Sequence, residues 1–246
     1  MYVVYRASRE IKDRSVLSDR LKAMGCKRLH RAFWEINKEK TYKVLKVLEK
    51  NQPIILKRVR EIKKPQFAEG KGIFELGSLV IVMYATPKEE KREKIKNVLK
   101  RAPCIRLRRS VYAFFQRHSI FDKGKQLVDA DKFADFIKGI HGDVKVIPRV
   151  VILNGDSVER LLQEIEERVE GESFDIFRSC KDLYDKALAG GNLRPVRDSL
   201  SKNKRRFLML RKVAAFYEKW LRLDFSRSVR KTYKAVKKVD SIVNPK

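Results

Sequence analysis

The strongest constraint on this chain is a stretch that it writes twice. The run YVVYRASREIKDRSVLSDRLKAMGCKRLHRAFWEI from Tyr2 aligns without a gap on VIVMYATPKEEKREKIKNVLKRAPCIRLRRSVYAF from Val80. One offset of 78 pairs Val4 with Val82, Ala7 with Ala85, Arg14 with Arg92, Leu21 with Leu99, Cys26 with Cys104, Arg28 with Arg106 and Arg31 with Arg109. Identities held at one spacing through three successive elements indicate an internal duplication. In a chain of 246 residues, such a period favours small units over one large domain.

Within the first copy, Tyr2 to Tyr5 is a short apolar run rich in β-formers, which predicts a buried strand. Val16, Leu17, Leu21 and Met24 follow at helical spacing, and Gly25 supplies a C-terminal stop. In KRLHRAFWEI the residues Leu29, Phe33 and Trp34 cannot share one face of a straight strand. A tight reversal or bulge near Arg31 repairs the parity and gives two strands, about 26–30 and 32–36. A helical stripe through Tyr42, Leu45 and Leu48, then a strand opening at Pro53, completes the unit. The order is βαββαβ, the ferredoxin-like pattern.

These residues resemble a known family. The YVVY strand, the charged helix and the segment G-C-K-R-L-H-R-A-F-W-E are similar to the CRISPR-associated adaptation protein Cas-two and its superfamily, which includes the C-terminal part of the phenylacetate repressor PaaX. In that superfamily a strand ending in Tyr-Asp is followed by R-[LV]-Q-x-S-V-[FW]. His30 stands at the Gln position, and Ala32-Phe33-Trp34 at Ser-Val-Phe/Trp. Ser110-Val111-Tyr112 of the second copy matches the pattern better. The family's metal-binding Asp falls on Arg6 and, at the same offset, on Tyr84. A cation cannot ligate Mg²⁺, which takes hard oxygen donors. Asp13, the nearest carboxylate to Arg6, reads as a surface charge on the helix. Members commonly dimerise through their sheets, so the resemblance implies that a duplicated chain forms an internal pseudo-dimer.

Residues 1–64 are thus expected to form one ferredoxin-like repeat, 65–77 a linker or short hairpin outside the sheets, and 78–153 the second repeat. Thr86 and Pro87, before Glu89 and Glu90, suit a helix entrance. An insertion from about Gln116 to Ala130, carrying Arg117, Phe121, Lys123 and Lys125, precedes a helix capped by Asp129 or Asp131.

From 154 to 246 the pattern is helical throughout, an all-α region after the α+β part. One helix is expected through Val169, capped by Asp156 or Ser157, and another from Phe174 to Leu188, stopped by Gly190-Gly191. A long segment from Pro195 breaks near Asp224–Ser226, and a last helix runs through Val239. A Cas-two-like unit followed by such helices is also similar to the N-terminal region of the chromate-resistance regulator family ChrB, whose likeness carries no residues over.

Charge bears most directly on function. Lys and Arg number 59 against 31 Asp and Glu, a net +28. Heat-adapted surfaces rich in both signs stay nearly balanced, whereas an excess of this size favours polyanions through counterion release. Residues 202 to 238 contain 14 Lys or Arg and only Glu218 and Asp224 as acids. The expected nucleic-acid contacts are Arg28, Arg31, Arg106, Arg108, Arg109, Lys123, Lys125, Lys202, Lys204, Arg205, Arg206, Arg211 and Lys212. Trp34 and Tyr112 lie among arginines, which suits either base stacking or packing of one sheet on the other repeat.

No P-loop, GxGxxG, HExxH or zinc pattern occurs, and His30, His118 and His141 are scattered. Cys26, Cys104 and Cys180 lack CxxC spacing, which points to a reducing compartment without structural zinc. No apolar run is long enough for a membrane span, and the start lacks the order of a signal peptide, so a cytoplasmic protein is expected. The reading is a non-catalytic nucleic-acid-binding protein without cofactor or metal. Its partner is DNA or RNA, with a protein partner open, and it is a monomer with an internal pseudo-dimer or a homodimer. The alternatives are a metal-dependent nuclease with relocated carboxylates and a protein-assembly module.

Overall fold

The computed structural model describes residues 1–6, 14–68, 72–85, 89–116, 127–141, 143–190 and 192–244. The chain is α+β, with a large antiparallel sheet and a C-terminal helical region. Two compact units divide it: one holds the sheet and its helices, to Leu162, and the other runs from Gln163 onward together with Asn97–Pro103. Asp13, Thr86, Pro87, Arg117, His118, Phe121, Lys123 and Lys125 lie outside the described residues.

The strands of the large sheet are β1 (Tyr2–Val4), β2 (Lys27–His30), β3 (Phe33–Glu35), β4 (Ile54–Arg58), β7 (Leu79–Tyr84), β8 (Cys104–Arg108), β9 (Val111–Phe115) and β10 (Val144–Ile152). They are ordered β2-β3-β1-β4-β10-β7-β9-β8. The first sheet unit also has helices α1 (Arg14–Ala23), α2 (Thr41–Leu48), α3 (Glu89–Leu99) and α4 (Ala130–His141). Between the two halves, β5 (Gln66–Ala68) and β6 (Gly72–Glu75) pair as a ribbon outside the main sheet, in the place where a linker or hairpin was expected.

Local chemistry accounts for several of these boundaries. Gly25 takes φ +76, and the Gly25 and Cys26 amides donate to Lys22 O and Leu21 O, closing α1 with a left-handed stop. Asp129, one of the two cap candidates, accepts from the Lys132 amide at the start of α4. The β2–β3 ladder shifts register between Arg28 and His30, and Ala32 turns at φ 52. The β8–β9 ladder does the same between Arg106 and Arg108, with Ser110 at φ 63. This is the reversal that the parity of Leu29, Phe33 and Trp34 demanded.

One register differs from the gapless alignment. Phe33 pairs with Val4, but Val111, 78 residues later, pairs with Met83 rather than Val82. The Tyr5 amide donates to Ala32 O and the Tyr84 amide to Ser110 O. The position corresponding to Arg6 is therefore Ala85, not Tyr84. The second copy is thus one residue shorter between strand and hairpin, a difference that hydrogen-bond pairing reveals because it fixes strand register more tightly than sequence identity does.

Both faces of the sheet are buried. On one, Val3, Tyr5 and Trp34 pack with Leu17, Leu21, Val44 and Leu48 beneath α1 and α2. On the other, Val4, Phe33, Ile81, Val111 and Ala113 are fully buried, although successive strand residues point to opposite sides. The sheet itself supplies that cover. β10 pairs with β7 through Val144–Ile147 and with β4 through Val150–Ile152, breaking register between Ile147 and Val150, where Arg149 takes φ 57. His30 at the end of β2 bonds Tyr84 O, and Arg108 at the end of β8 bonds Tyr5 O. Each contact joins strands five places apart in the sheet order, about 24 Å in a flat sheet. The sheet must curl on itself to make them.

The second unit contains most of α5 (Gly155–Leu188), with α6 (Leu193–Leu221) and α7 (Ser226–Val243). Here α5 corrects the expectation of two helices: it is continuous through Gly171, where a Cβ would meet nothing within 4 Å. Gly lowers helix propensity by only about 1 kcal/mol, which packing of Val169, Ile176 and Cys180 overrides. Neither Asp156 nor Ser157 opens it; the Ser157 amide bonds Asn154 O. The expected break before Ser226 is present. Asn192 caps α6 by accepting from the Arg194 amide. Buried Phe207, Leu210, Val213, Tyr217, Val236 and Val239 form the interior, with a Ser173–Thr232 hydroxyl bond of 2.7 Å inside it.

Candidate nucleic-acid interface

In the sheet unit, the arginines expected to contact nucleic acid divide into structural and exposed groups. Arg31 and Arg109 are exposed at the two hairpin turns, and Arg28 and Arg106 are exposed on β2 and β8. Arg28 lies over the Trp34 ring at 5.8 Å. Arg108, by contrast, is half-buried, with Nη1 donating to Tyr5 O at 2.7 Å and its guanidinium 5.8 Å from the Tyr5 ring. Its position at offset 78 from His30 makes the two contacts reciprocal: each closes on the carbonyl ending the other half's first strand.

His30 serves that contact as a neutral ring. Tyr84 O can only accept, so Nε2 carries the proton, while buried Nδ1 has no hydrogen-bond partner. Burial pushes its pKa down, against the opposing pull of the Tyr84 carbonyl.

Arg6 occupies the end of β1. Its Nε donates to Leu107 O at 3.0 Å and its Nη2 to Arg106 O at 2.6 Å. A cation bonded to two carbonyls thus stands where the resemblance would put a carboxylate. Among the described residues, no group of three or more His, Cys, Asp or Glu is arranged to hold a metal ion.

Of the aromatic candidates, Trp34 belongs to the core and Tyr112 is half-buried. Trp34 is 1% exposed and packs under α1 and α2, not on the other half of the sheet. Tyr112 stacks on Tyr84 at 6.2 Å and meets Phe133 of α4 edge-on. Burial raises the pKa of the Tyr84 hydroxyl, keeping it protonated at neutral pH.

The helical unit separates its charges. The α5 sequence has ten acids and five bases, whereas α6 and α7 carry the basic run. Of the six predicted α6 contacts, two are tied down: Lys204 pairs with Asp240 at 2.7 Å and Arg206 with Glu172 at 2.9 Å, which also takes Lys100 at 3.5 Å. Lys202, Arg205 and Arg211 are exposed and Lys212 half-exposed. Arg205, Arg211 and Lys219 follow the solvent side of α6, Arg222 is exposed just past its end, and Arg227, Arg230, Lys234 and Lys237 are exposed on α7. Lys231 and Lys238 lie instead over the α5 rings of Phe177 and Tyr184, at 4.5 and 4.1 Å. The apolar positions that bury α6 and α7 leave these cations outward by helical periodicity.

Pairing of β4 with β10 adds a set that residue-type scanning passed over. Arg58 pairs in register with Val150, the Val59 amide donates to Arg149 O, and Arg149 Nη1 donates to Arg60 O. The basic run KRVREIKK at 57–64 was visible in the sequence; the approach of Arg149 required the fold.

Comparison with protein families, curated proteins and solved structures finds no match to this chain. The class defined here is therefore an α+β protein with a curled antiparallel sheet, a helical C-terminal region and a large cationic surplus. No helix among the described residues is long and apolar enough to cross a membrane.

Proposed function

We propose that this chain is a non-catalytic nucleic-acid-binding protein, regulatory or defence-associated, built on a duplicated ferredoxin-like core of the Cas-two type. The observation carrying the binding role is the solvent side of α6, α7 and the residues between them, where Arg205, Arg211, Lys219, Arg222, Arg227 and Arg230 are exposed in a segment with two acids. Such a surface neutralises phosphates and releases their counterions.

Several features support the duplicated core. Strand order β2-β3-β1-β4 is repeated by β8-β9-β7-β10. The hairpins recur with a register shift at the equivalent place and a left-handed residue at the equivalent turn position, Ala32 and Ser110. The reciprocal His30–Tyr84 and Arg108–Tyr5 contacts have the form of an isologous interface within one chain. The engagement of Arg6 by the Arg106 and Leu107 carbonyls favours binding over metal-dependent cleavage at that position.

Fluorescence anisotropy across a salt series, with duplex and single-stranded oligonucleotides, tests the reading. Replacing Arg205, Arg211 and Lys212 by Gln should reduce the duplex log K against log salt slope by about 2.7, at roughly 0.9 per lost phosphate contact. Weak, salt-independent binding by the unaltered protein would refute it.

A further inference from the structure

We propose that the β5–β6 ribbon and the adjoining end of β4 form a separate site for single-stranded nucleic acid, with Phe74 as the base-stacking residue. The inference rests on the nucleic-acid-binding role and adds the kind of strand recognised at a second place.

The ribbon is a two-stranded sheet of its own. Its root is fixed: the Ser78 amide donates to Lys63 O, Ser78 Oγ accepts from the Lys63 amide, and Gly77 turns at φ +75 with Lys63 O only 2.7 Å from where a Cβ would stand. The same root joins the sheet, since Ser78 O accepts from the Gln116 amide and Gln116 Oε1 from the Arg149 amide. Phe74 is therefore presented on an anchored arm.

Phe74 is 51% exposed, while Phe67 and Ile73 are half-buried. The alternation of side chains along β6 points Phe74 away from Ile73 and Glu75. Glu75 is occupied by Lys63 at 3.6 Å. At the root, Arg58 and Arg60 are exposed, Arg149 is held at Arg60 O, and Lys57 and Lys64 are exposed. Glu61 is the single acid in the run from 57 to 64.

Lys63, paired with Glu75 next to Phe74, ties the ribbon to the cationic run 57–64, and an aromatic ring joined to such a run is the combination that holds unpaired strands: the cations follow the phosphates and the ring stacks on a base. In a duplex the bases are already stacked on each other, so Phe74 gains a partner only on an unpaired segment. The cations alone would bind either form.

The test uses the full chain, with Phe74→Ser and Arg58→Gln/Arg60→Gln, a 20-residue unstructured oligonucleotide carrying 2-aminopurine, and a duplex of equal length. Circular dichroism checks that each variant keeps the fold. Phe74→Ser should weaken single-strand binding about 5- to 30-fold, abolish 2-aminopurine quenching, and leave duplex affinity and both salt slopes unchanged. The arginine variant should lower the single-strand slope by about 1.4, at roughly 0.7 per phosphate. If the unaltered protein binds no nucleic acid, the binding role and this site both fall. If it binds and the α6 variant loses duplex affinity, but Phe74→Ser binds single strands normally or loses both forms equally, only this site is overturned.

Discussion

Replacing Arg6 by Ala should destabilise the sheet unit by about 2 kcal/mol. Arg6 makes two charge-assisted hydrogen bonds to carbonyls about a hundred residues away, at 3.0 and 2.6 Å. Bonds of this type contribute roughly 1.5–3 kcal/mol each when well shielded, and because Arg6 is partly exposed and its Nη2 bond is open to solvent, screening brings the pair below that sum, to about 2 kcal/mol. Lys at this position keeps the charge but lacks the fork that spans two acceptors, so about half of the loss should return. Urea unfolding followed by tryptophan fluorescence measures it. The chain has two tryptophans, Trp34 in the sheet unit and Trp220 in the helical unit. A Trp220→Phe background makes the signal report the sheet unit alone. The exposed Arg28, which lies over Trp34, serves as control, and its Ala variant should cost under about 1 kcal/mol. An Arg6→Ala loss below about 0.5 kcal/mol, or one no larger than the control, would refute the view that this cation ties the end of β1 to the edge strand β8.

Two further outcomes follow from the same region. Because burial lowers the His30 pKa, the unfolded chain binds the proton more readily; stability is present above about pH 6.5 and is lost as pH falls through the folded pKa, with a slope of at most about 1.4 kcal/mol per pH unit. His30→Gln can still donate to Tyr84 O, so pH-dependent urea melts should lose that component; an unchanged pH profile would exclude His30 as its source. Gly77→Ala places a Cβ 2.7 Å from Lys63 O at φ +75 and should cost at least about 2 kcal/mol in the same melts, whereas Gly171→Ala, with open space around it, should be neutral or slightly stabilising.

Much of the secondary structure was legible in the sequence, since apolar spacing and turn chemistry act locally. Gly25 ends α1 and the parity of Leu29, Phe33 and Trp34 forces a bulged hairpin, whatever the remainder of the chain does. Identity at one offset could not fix the register of β7, because Val82 and Met83 are both acceptable buried residues and only the ladder distinguishes them. Nor could local propensity reveal that Gly171 lies inside a continuous helix whose packing outweighs one glycine.

The candidate site divides in the same way. The charge of the chain and the outward stripe of α6 follow from composition and helical period, and both were present in the sequence. Which cations remain exposed was decided by tertiary structure: Lys204 meets Asp240, Arg206 meets Glu172, and Arg6 and Arg108 meet distant carbonyls. The arrival of Arg149 beside Arg60 depends on β10 pairing with β4. A sequence specifies which residues are charged and which face of an element is apolar. Local i,i+3 pairs can be read from the sequence, but long-range pairing determines which of the remaining charges acquire distant partners.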